Sequence, residues 1–596
     1  MATVEDEDPP ADPETARPSE TSLLAEYGID RIVLAVGGIV ALALFLRLFA
    51  LGARVAHWDE ARVGWWILDY MRTGNYEYRA IIHGPFHHHV NRLVFGLFGA
   101  TDAAMRLVTA LLGGLLPFVA LGLRHRLRDA EVVALALFLA VNPLLLYYSR
   151  FMRGDPIVGV FMLTAFVLFV RAVDFGQARY LFAGVTCTAL AFTAKENALL
   201  YLVTWIGATA IVVDHRLLRA EDRDQNWKAL AKGYLKPDLG WTKRWAPFLL
   251  LAVVWFLLVI VFFYAPRSGD PNELGLYNAF GALGGGDPSM LFTVVNDATI
   301  GSWEEFYGLW VGGGHQDHAY LPYLGDYAET LGYGALALCL LSVVGFLADR
   351  YAVDGPRDVV AFSFYWGLAS VLGYPIVTDI KAPWATLHAV IPLAIPAAVG
   401  FAMIFRWGRE AMARDDSVDV GIALLLIVVL VGQMAGAGLW TVYLAPQEEE
   451  NKVVQYAQPG GDIQPVVQEM QAASAGNQGT DVLVYGEFYV DGDANATRTP
   501  ACVKWFNALP LPWYFAAHDS AVECAQTPTE LRQQAGAQPP IVITRDQAGG
   551  DEQRNPADVV REQFPEYEER TYELRTYGTE TAFFVHPDYA RTEDET

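Results

Sequence analysis

Apolar residues along this chain fall into long uninterrupted runs. Runs of membrane-spanning length lie near 31–52, 107–123, 130–148, 156–173, 180–194, 196–213, 246–265, 328–347, 359–377, 385–405 and 419–443. A helix needs roughly twenty such residues to cross the hydrocarbon core, so these runs predict about eleven transmembrane helices. Two shorter patterns, 61–72 and 87–98, are too short to cross and read as helices lying in the interface. From about 450 onward the pattern changes: 465–473 reads as a helix, while 481–485, 541–544 and 581–586 read as strands. The expected architecture is an α-helical polytopic membrane domain over 29–445 and a small soluble α/β domain over 446–596.

Charge refines the picture. Hydrophobic residues make up 53% of the 596, yet the formal net charge is −25, so very apolar and very acidic parts coexist. Residues 1–28 are acidic and contain prolines but no basic stretch leading into an apolar core, so they read as a disordered cytoplasmic tail rather than a signal peptide. Only eight of the 42 basic residues are lysine, a balance that, with the acidity, suggests a salt-adapted, halophilic protein. Every second loop is basic: Arg124, Arg126 and Arg128; Arg171 and Arg179; the 214–245 loop; Arg350 and Arg357; Arg406, Arg409 and Arg414. Such loops stay on the cytoplasmic side. To keep 214–245 there, 180–213 must be a hairpin with Lys195, Glu196 and Asn197 at its outer tip, and everything after about residue 443 must be extracellular. An Asn495-Ala496-Thr497 sequon and the pair Cys502 and Cys524, able to form a disulfide, fit that side, whereas Cys187 and Cys339 sit in apolar runs as small core residues. The C-terminal part shows no phosphate loop, metal-ligand spacing or nucleophile motif.

Chemistry concentrates in the outer loops. The first begins His57-Trp58-Asp59-Glu60, two adjacent carboxylates that read either as a helix start or as a proton acceptor with a neighbour raising its pKa. His83-Gly84-Pro85 breaks the same loop. Arg150 and Arg153 with Asp155, Lys195 with Glu196, and Lys381 follow at later outer turns. Four cations on the side where positive charge is disfavoured argue for an anionic ligand, a phosphate above all. Between Gly284-Gly285-Gly286 and Gly312-Gly313-Gly314, the amphipathic stretch 290–310 reads as a hinged lid or a plain interfacial helix.

In this order and on this side, several motifs together resemble the protein O-mannosyltransferase and aminoarabinose-transferase branch of the C superfamily of glycosyltransferases. They are Asp59-Glu60 after the first helix, His83-Gly84-Pro85, Arg106 opening the second helix, Ser149-Arg150 with Asp155, and Lys381-Ala382-Pro383-Trp384. Within that branch the chain is more closely similar to a haloarchaeal flippase-activity-associated membrane protein family. The likeness spans about 30–405, and one departure is Gly84-Pro85 where the family has Pro-Pro. The resemblance implies an inverting hexosyltransferase that uses a dolichyl- or other polyprenyl-phosphate sugar. It makes Asp59 the catalytic aspartate and Glu60 its adjacent glutamate. Arg150, Arg153, Lys195 and Lys381 are then expected on the donor phosphate, with Arg106, Asp155, Glu196 and His83 in support. Some relatives bind a divalent metal ion on this side, for which His315 and His318 are the candidate ligands; no other cofactor is expected.

The expected function is transfer of a sugar to a lipid-linked glycan or surface glycoprotein on the outer face, in protein N-glycosylation. Membrane lipids are partners and nucleic acid is not. Two alternatives stand beside it: a non-catalytic helper of lipid-linked oligosaccharide flipping, and a transporter of an anionic solute.

Overall fold

The computed structural model describes residues 30–222, 228, 232, 239–312, 318–353, 355–378, 380–460, 463–490, 502–547, 554–575 and 578–590. The acidic 1–28 segment, most of the basic loop between 223 and 238, His315 and the Asn495 sequon lie outside the described residues.

Among the described residues, nine helices are long and apolar enough to cross a membrane: Arg31–Leu48, Asp102–Leu123, Gly154–Phe175, Ala198–Arg219, Thr242–Tyr264, Tyr320–Arg350, Asp358–Val377, Pro383–Ala413 and Ser417–Leu444. The other two expected crossings take different forms. Ala178–Ala194 is apolar but only 17 residues long, and it meets the next helix at the tip 195–197, as the hairpin reading requires. The 130–148 run is broken into Asp129–Val141 and Pro143–Tyr148. Pro143 has no amide proton to continue the ladder, and the Asn142 side chain accepts from the amides of Leu144 and Leu145, starting a new helix.

Pro383–Ala413 runs through the centre, with 83% of its apolar window buried, whereas Thr242–Tyr264 is 6% buried and lies at the periphery. A Cβ on Gly345 would stand 1.9 Å from the Pro396 carbonyl oxygen, so this glycine lets Tyr320–Arg350 pack backbone to backbone against the central helix. At one end of the bundle the basic loops knit together. Arg124 pairs with Asp30, Arg126 with Asp174 and Arg216 with Asp358, while Arg357 reaches Glu131 at 2.6 Å.

The opposite end carries two shorter helices, Trp58–Thr73 and Phe86–Phe98, and the C-terminal domain. The domain has a five-stranded sheet: β1 (Val482–Tyr485), β2 (Val522–Ala525), β3 (Ile541–Arg545), β4 (Glu568–Glu573) and β5 (Glu580–Val585), in the order β2-β1-β3-β5-β4. The β2, β1 and β3 strands run parallel, with Val482 beside both Val522 and Ile541, and β5 lies antiparallel between β3 and β4. The three central strands are those visible as apolar runs. The two edges, Val-Glu-Cys-Ala and Glu-Glu-Arg-Thr-Tyr-Glu, bury too few side chains to show one. Cys502 and Cys524 form the expected disulfide.

One hydrophobic cluster runs from this end of the bundle into the domain, joining Val55, Ala61, Met105, Trp513 and Phe515. Polar contacts fix its register: Trp513 Nε1 and the Tyr514 hydroxyl donate to the Asp102 carboxylate at 2.9 and 2.8 Å, and the amide of Ala56 donates to the Tyr514 oxygen at 2.8 Å.

Candidate functional site

The site grows from the start of the Trp58–Thr73 helix. The buried His57 ring accepts from the amide of Asp59 through Nδ1 at 3.0 Å, and the Glu60 carboxylate accepts from the amide of His57 at 3.0 Å. This reciprocal cap fixes the helix start and sends the two adjacent carboxylates apart. Glu60 turns inward and is 1% exposed. It accepts from Arg106 Nε and Nη2 at 3.0 and 2.9 Å and from the Met152 amide at 2.8 Å, with Arg54 at 3.2 Å. Asp59 turns the other way, 24% exposed, between Arg153 at 2.9 Å and Arg62 at 3.3 Å.

The expectation that the neighbours raise one another's pKa is therefore corrected. Burial disfavours the charge on Asp59, but Arg153 and Arg62 outweigh it and hold the carboxyl below the usual range. Burial likewise opposes the charge on Glu60, and Arg106 and Arg54 overcome it. The physical reason is direction: capping geometry points each carboxylate at its own arginines and away from the other.

Arg153 connects Asp59 to the next shell. Its guanidinium lies over the Trp384 ring at 3.6 Å and donates to Gln455 Oε1 at 2.6 Å and to Asp155 at 3.3 Å. Asp155 is a buried hub, accepting from Lys195 at 2.9 and 3.1 Å and from Asn197 at 3.1 Å, with His388 Nε2 at 3.2 Å. Glu196 faces the opposite side of the hairpin tip, where it accepts from the Tyr78 hydroxyl at 2.6 Å and pairs with His83 at 3.4 Å. The tip is wedged in place. A Cβ on Gly84 would stand 2.2 Å from the Thr193 carbonyl oxygen, and one on Gly154 would stand 2.5 Å from that of Ala194. This is why position 84 is glycine rather than a second proline: a ring carbon has no room there.

Asp59, Arg153, Asp155 and Lys195 thus meet, and Glu196 and His83 border them. Glu60 and Arg106 form a separate buried pair, next to the group through the helix start that carries Asp59. Three other expected site residues stand elsewhere. Arg150 points to the end of the first helix, donating to the carbonyls of Leu46, Arg47, Phe49 and Ala50; these acceptors lack helical partners and claim the guanidinium. Lys381 is 62% exposed and pairs with Asp326. His318 contacts the Pro375 carbonyl through Nε2 at 2.9 Å, and among the described residues no group of three or more His, Cys, Asp or Glu side chains makes a metal site.

Sequence reasoning gave no role to Arg62 or Gln455, used Trp384 only as part of the Lys381-Ala382-Pro383-Trp384 motif, and counted His388 only among the outer histidines. Arg62 is three residues after Asp59, a helix-face spacing that signals the pair. His388 follows Trp384 by one helical turn. Gln455 comes from the linker into the C-terminal domain, with no local signal at all.

Beside Glu196 and Tyr78 opens an apolar groove walled by Phe192, Leu199, Phe256, Ile260, Tyr264 and Trp303. It is flanked by the helical stretch from Ser289 to Val311, which runs through two π-helical segments. Trp310 Nε1 donates to the Ala80 carbonyl at 2.9 Å, its ring lies 5.3 Å from that of His83, and Glu305 accepts from the Ala80 amide at 2.9 Å.

Comparison with known proteins places this arrangement. Residues 82–222 match the family described as dolichyl-phosphate-mannose-protein mannosyltransferase, and residues 463–587 match the Agl23 flippase-associated protein C-terminal domain. No curated protein sequence matches the chain. Among solved structures, ArnT from Cupriavidus metallidurans bound to undecaprenyl phosphate is similar at 14% identity and a TM-score of 0.52, covering 94% of this chain and 99% of that one. The same protein in the apo state is similar at 14% identity and a TM-score of 0.50, covering 95% and 100%. At that identity the likeness shows the fold. The chain is thus a multi-pass membrane protein with the fold seen in ArnT, in which one region matches the dolichyl-phosphate-mannose-protein mannosyltransferase family and the C-terminal domain matches the Agl23 flippase-associated protein C-terminal domain.

Proposed function

We propose that this protein transfers a sugar from a polyprenyl-phosphate donor to an acceptor hydroxyl, with inversion, on the outer face of the membrane. The observation that supports it most is the position of Asp59: a partly exposed carboxylate tied through Arg153 to the buried Asp155 and Lys195. The reaction assigned to these groups is a single displacement. Asp59 takes the acceptor proton as the acceptor oxygen attacks the anomeric carbon. The bond from that carbon to the phosphate oxygen breaks, and its electron pair leaves with the lipid phosphate. Arg153 and Lys195 hold the charge that develops there. Because Arg153 pairs with Asp59 at rest, a donor phosphate that recruits Arg153 strips Asp59 of a counter-charge and makes it a stronger base. The apolar groove beside Glu196 suits the polyprenyl chain, and the 289–311 stretch suits a cover over it. The basic end of the bundle is then cytoplasmic, by the bias of short loops.

The flippase-associated family match favours a second reading, in which the fold serves lipid-linked oligosaccharide flipping without turnover. Asp59→Asn separates the two. Mass spectrometry of surface and lipid-linked glycans from cells carrying only this variant is expected to show glycans lacking one sugar, a drop of roughly 100-fold or more in its transfer. Complete glycans in that strain would leave the transferase reading without support.

A further inference from the structure

A second concavity lies behind Glu60, apart from Asp59 and Arg153. About 690 Å³ of open space is bounded by Ala50, Arg54, Tyr147, Arg150, Tyr443 and Pro446. Its walls are the domain-side ends of the first and last membrane helices and the 149–151 turn. Arg54 and Arg150 are 8% and 9% exposed, yet their donors are not used up. Arg150 spends Nη1 and Nη2 on helix-end carbonyls, and Arg54 spends its own on Gln458, the Arg150 carbonyl and Glu60. Neither Nε has an acceptor among the described residues.

Charge does not close here either. Arg47 and Arg54 both feel the charge of Arg150, Arg54 and Arg150 both feel that of Arg106, and Glu60 and Asp102 are the carboxylates beside Arg106. Surplus positive charge removed from water is costly unless an anion joins it. Beside the cavity mouth at Ala50 and Ala53, Phe45, Phe49 and Leu444 are 61%, 56% and 63% exposed on the lipid-facing surface. The occupant therefore has an anionic head and apolar tails.

We propose that this cavity binds the phosphate of a membrane lipid whose headgroup is anionic overall, at a site separate from the one that holds Asp59. Arg54 donates both into this network and toward Glu60, so a bound headgroup also steadies the start of the Asp59 helix. The shared chemistry is a phosphate oxyanion, and the test tells a lipid phosphate from a free one.

Native mass spectrometry of the full-length protein in detergent, supplied with phosphatidylglycerol, phosphatidylcholine or inorganic phosphate, reads the site directly. The wild type is expected to retain one phosphatidylglycerol and no phosphatidylcholine. Ala53→Glu sets a carboxylate at the exposed mouth and is expected to weaken retention roughly tenfold, while Ala53→Gln and Arg153→Ala retain the lipid as the wild type does. If inorganic phosphate raises the thermal midpoint as much as the lipid does, and Ala53→Glu cancels it, the anion site stands with free phosphate as its occupant. Equal retention by the Ala53→Glu and Ala53→Gln variants, loss on Arg153→Ala, or no preference over phosphatidylcholine overturns the proposal.

Discussion

Asp59 is held ionised by two arginines of different kinds. Arg153 is shared with Asp155, whereas Arg62 bonds only Asp59 and the Ile81 carbonyl. A carboxyl with a lowered pKa in the folded chain contributes stability above the ordinary carboxylate range and loses it as pH falls through its own lowered value. The acid limb of kcat/KM, which reports the free enzyme, should accordingly lie below that range. Removing Arg62 removes one of the two charges, so Arg62→Ala is expected to move the limb to higher pH while transfer at neutral pH falls only several-fold. An unmoved limb would mean that Asp59 is not the titrating base. Much at this scale was legible: Asp59, Arg153, Asp155 and Lys195 stand out as charges at helix ends. Arg150 and Lys381 stand out in the same way, and the difference lies in where the first helix ends and where Asp326 falls. An arginine near a membrane surface has the same local sequence whether it stands beside Asp59 and its partners or on four backbone carbonyls at a helix end.

At the scale of elements, the polar centre depends on how closely the hairpin tip approaches the 83–85 break and the start of the Gly154–Phe175 helix. Gly84 and Gly154 face backbone oxygens of that tip, and backbone does not yield as a flexible side chain would. Gly84→Ala therefore must push residues 193–195 away, shifting Lys195 from Asp155. Overpacking of this kind costs about 1–3 kcal/mol, and a displaced ammonium weakens hold on a phosphate. The expected outcome is a lower thermal midpoint and a raised KM for the lipid donor, with expression retained. A variant of wild-type stability would show that the tip gives way freely. The long helices themselves were plain in the sequence, because twenty apolar residues in a row leave few alternatives. The break at Asn142-Pro143 and the edge strands β2 and β4 were not. A proline in a membrane run is compatible with a kinked continuous helix, and an edge strand exposes too much of itself to carry an apolar signature.

Across the whole molecule, the C-terminal domain and its linker reach the site by direct contact. Its linker supplies Gln455 to Arg153 and Gln458 to Arg54, and its Trp513 and Tyr514 clamp Asp102 and Ala56, the latter three residues before Asp59. None of these contacts is visible locally, since they join residues more than 300 positions apart. The Tyr514 hydroxyl is the sharpest probe, because it both accepts and donates in a buried joint. Tyr514→Phe keeps the ring and strands an amide and a carboxylate oxygen, each costing about 1–3 kcal/mol. It is expected to lower the thermal midpoint and the transfer rate together, as the 55–60 segment loosens. Leu531→Ala, buried on the opposite face of the sheet, costs a comparable 2–5 kcal/mol or so but touches no part of the joint, so the domain should destabilise while transfer at low temperature stays intact. If both variants lose rate in proportion to lost stability, the domain merely keeps the protein folded. If only Tyr514→Phe does, the joint itself sets the Asp59 helix in place.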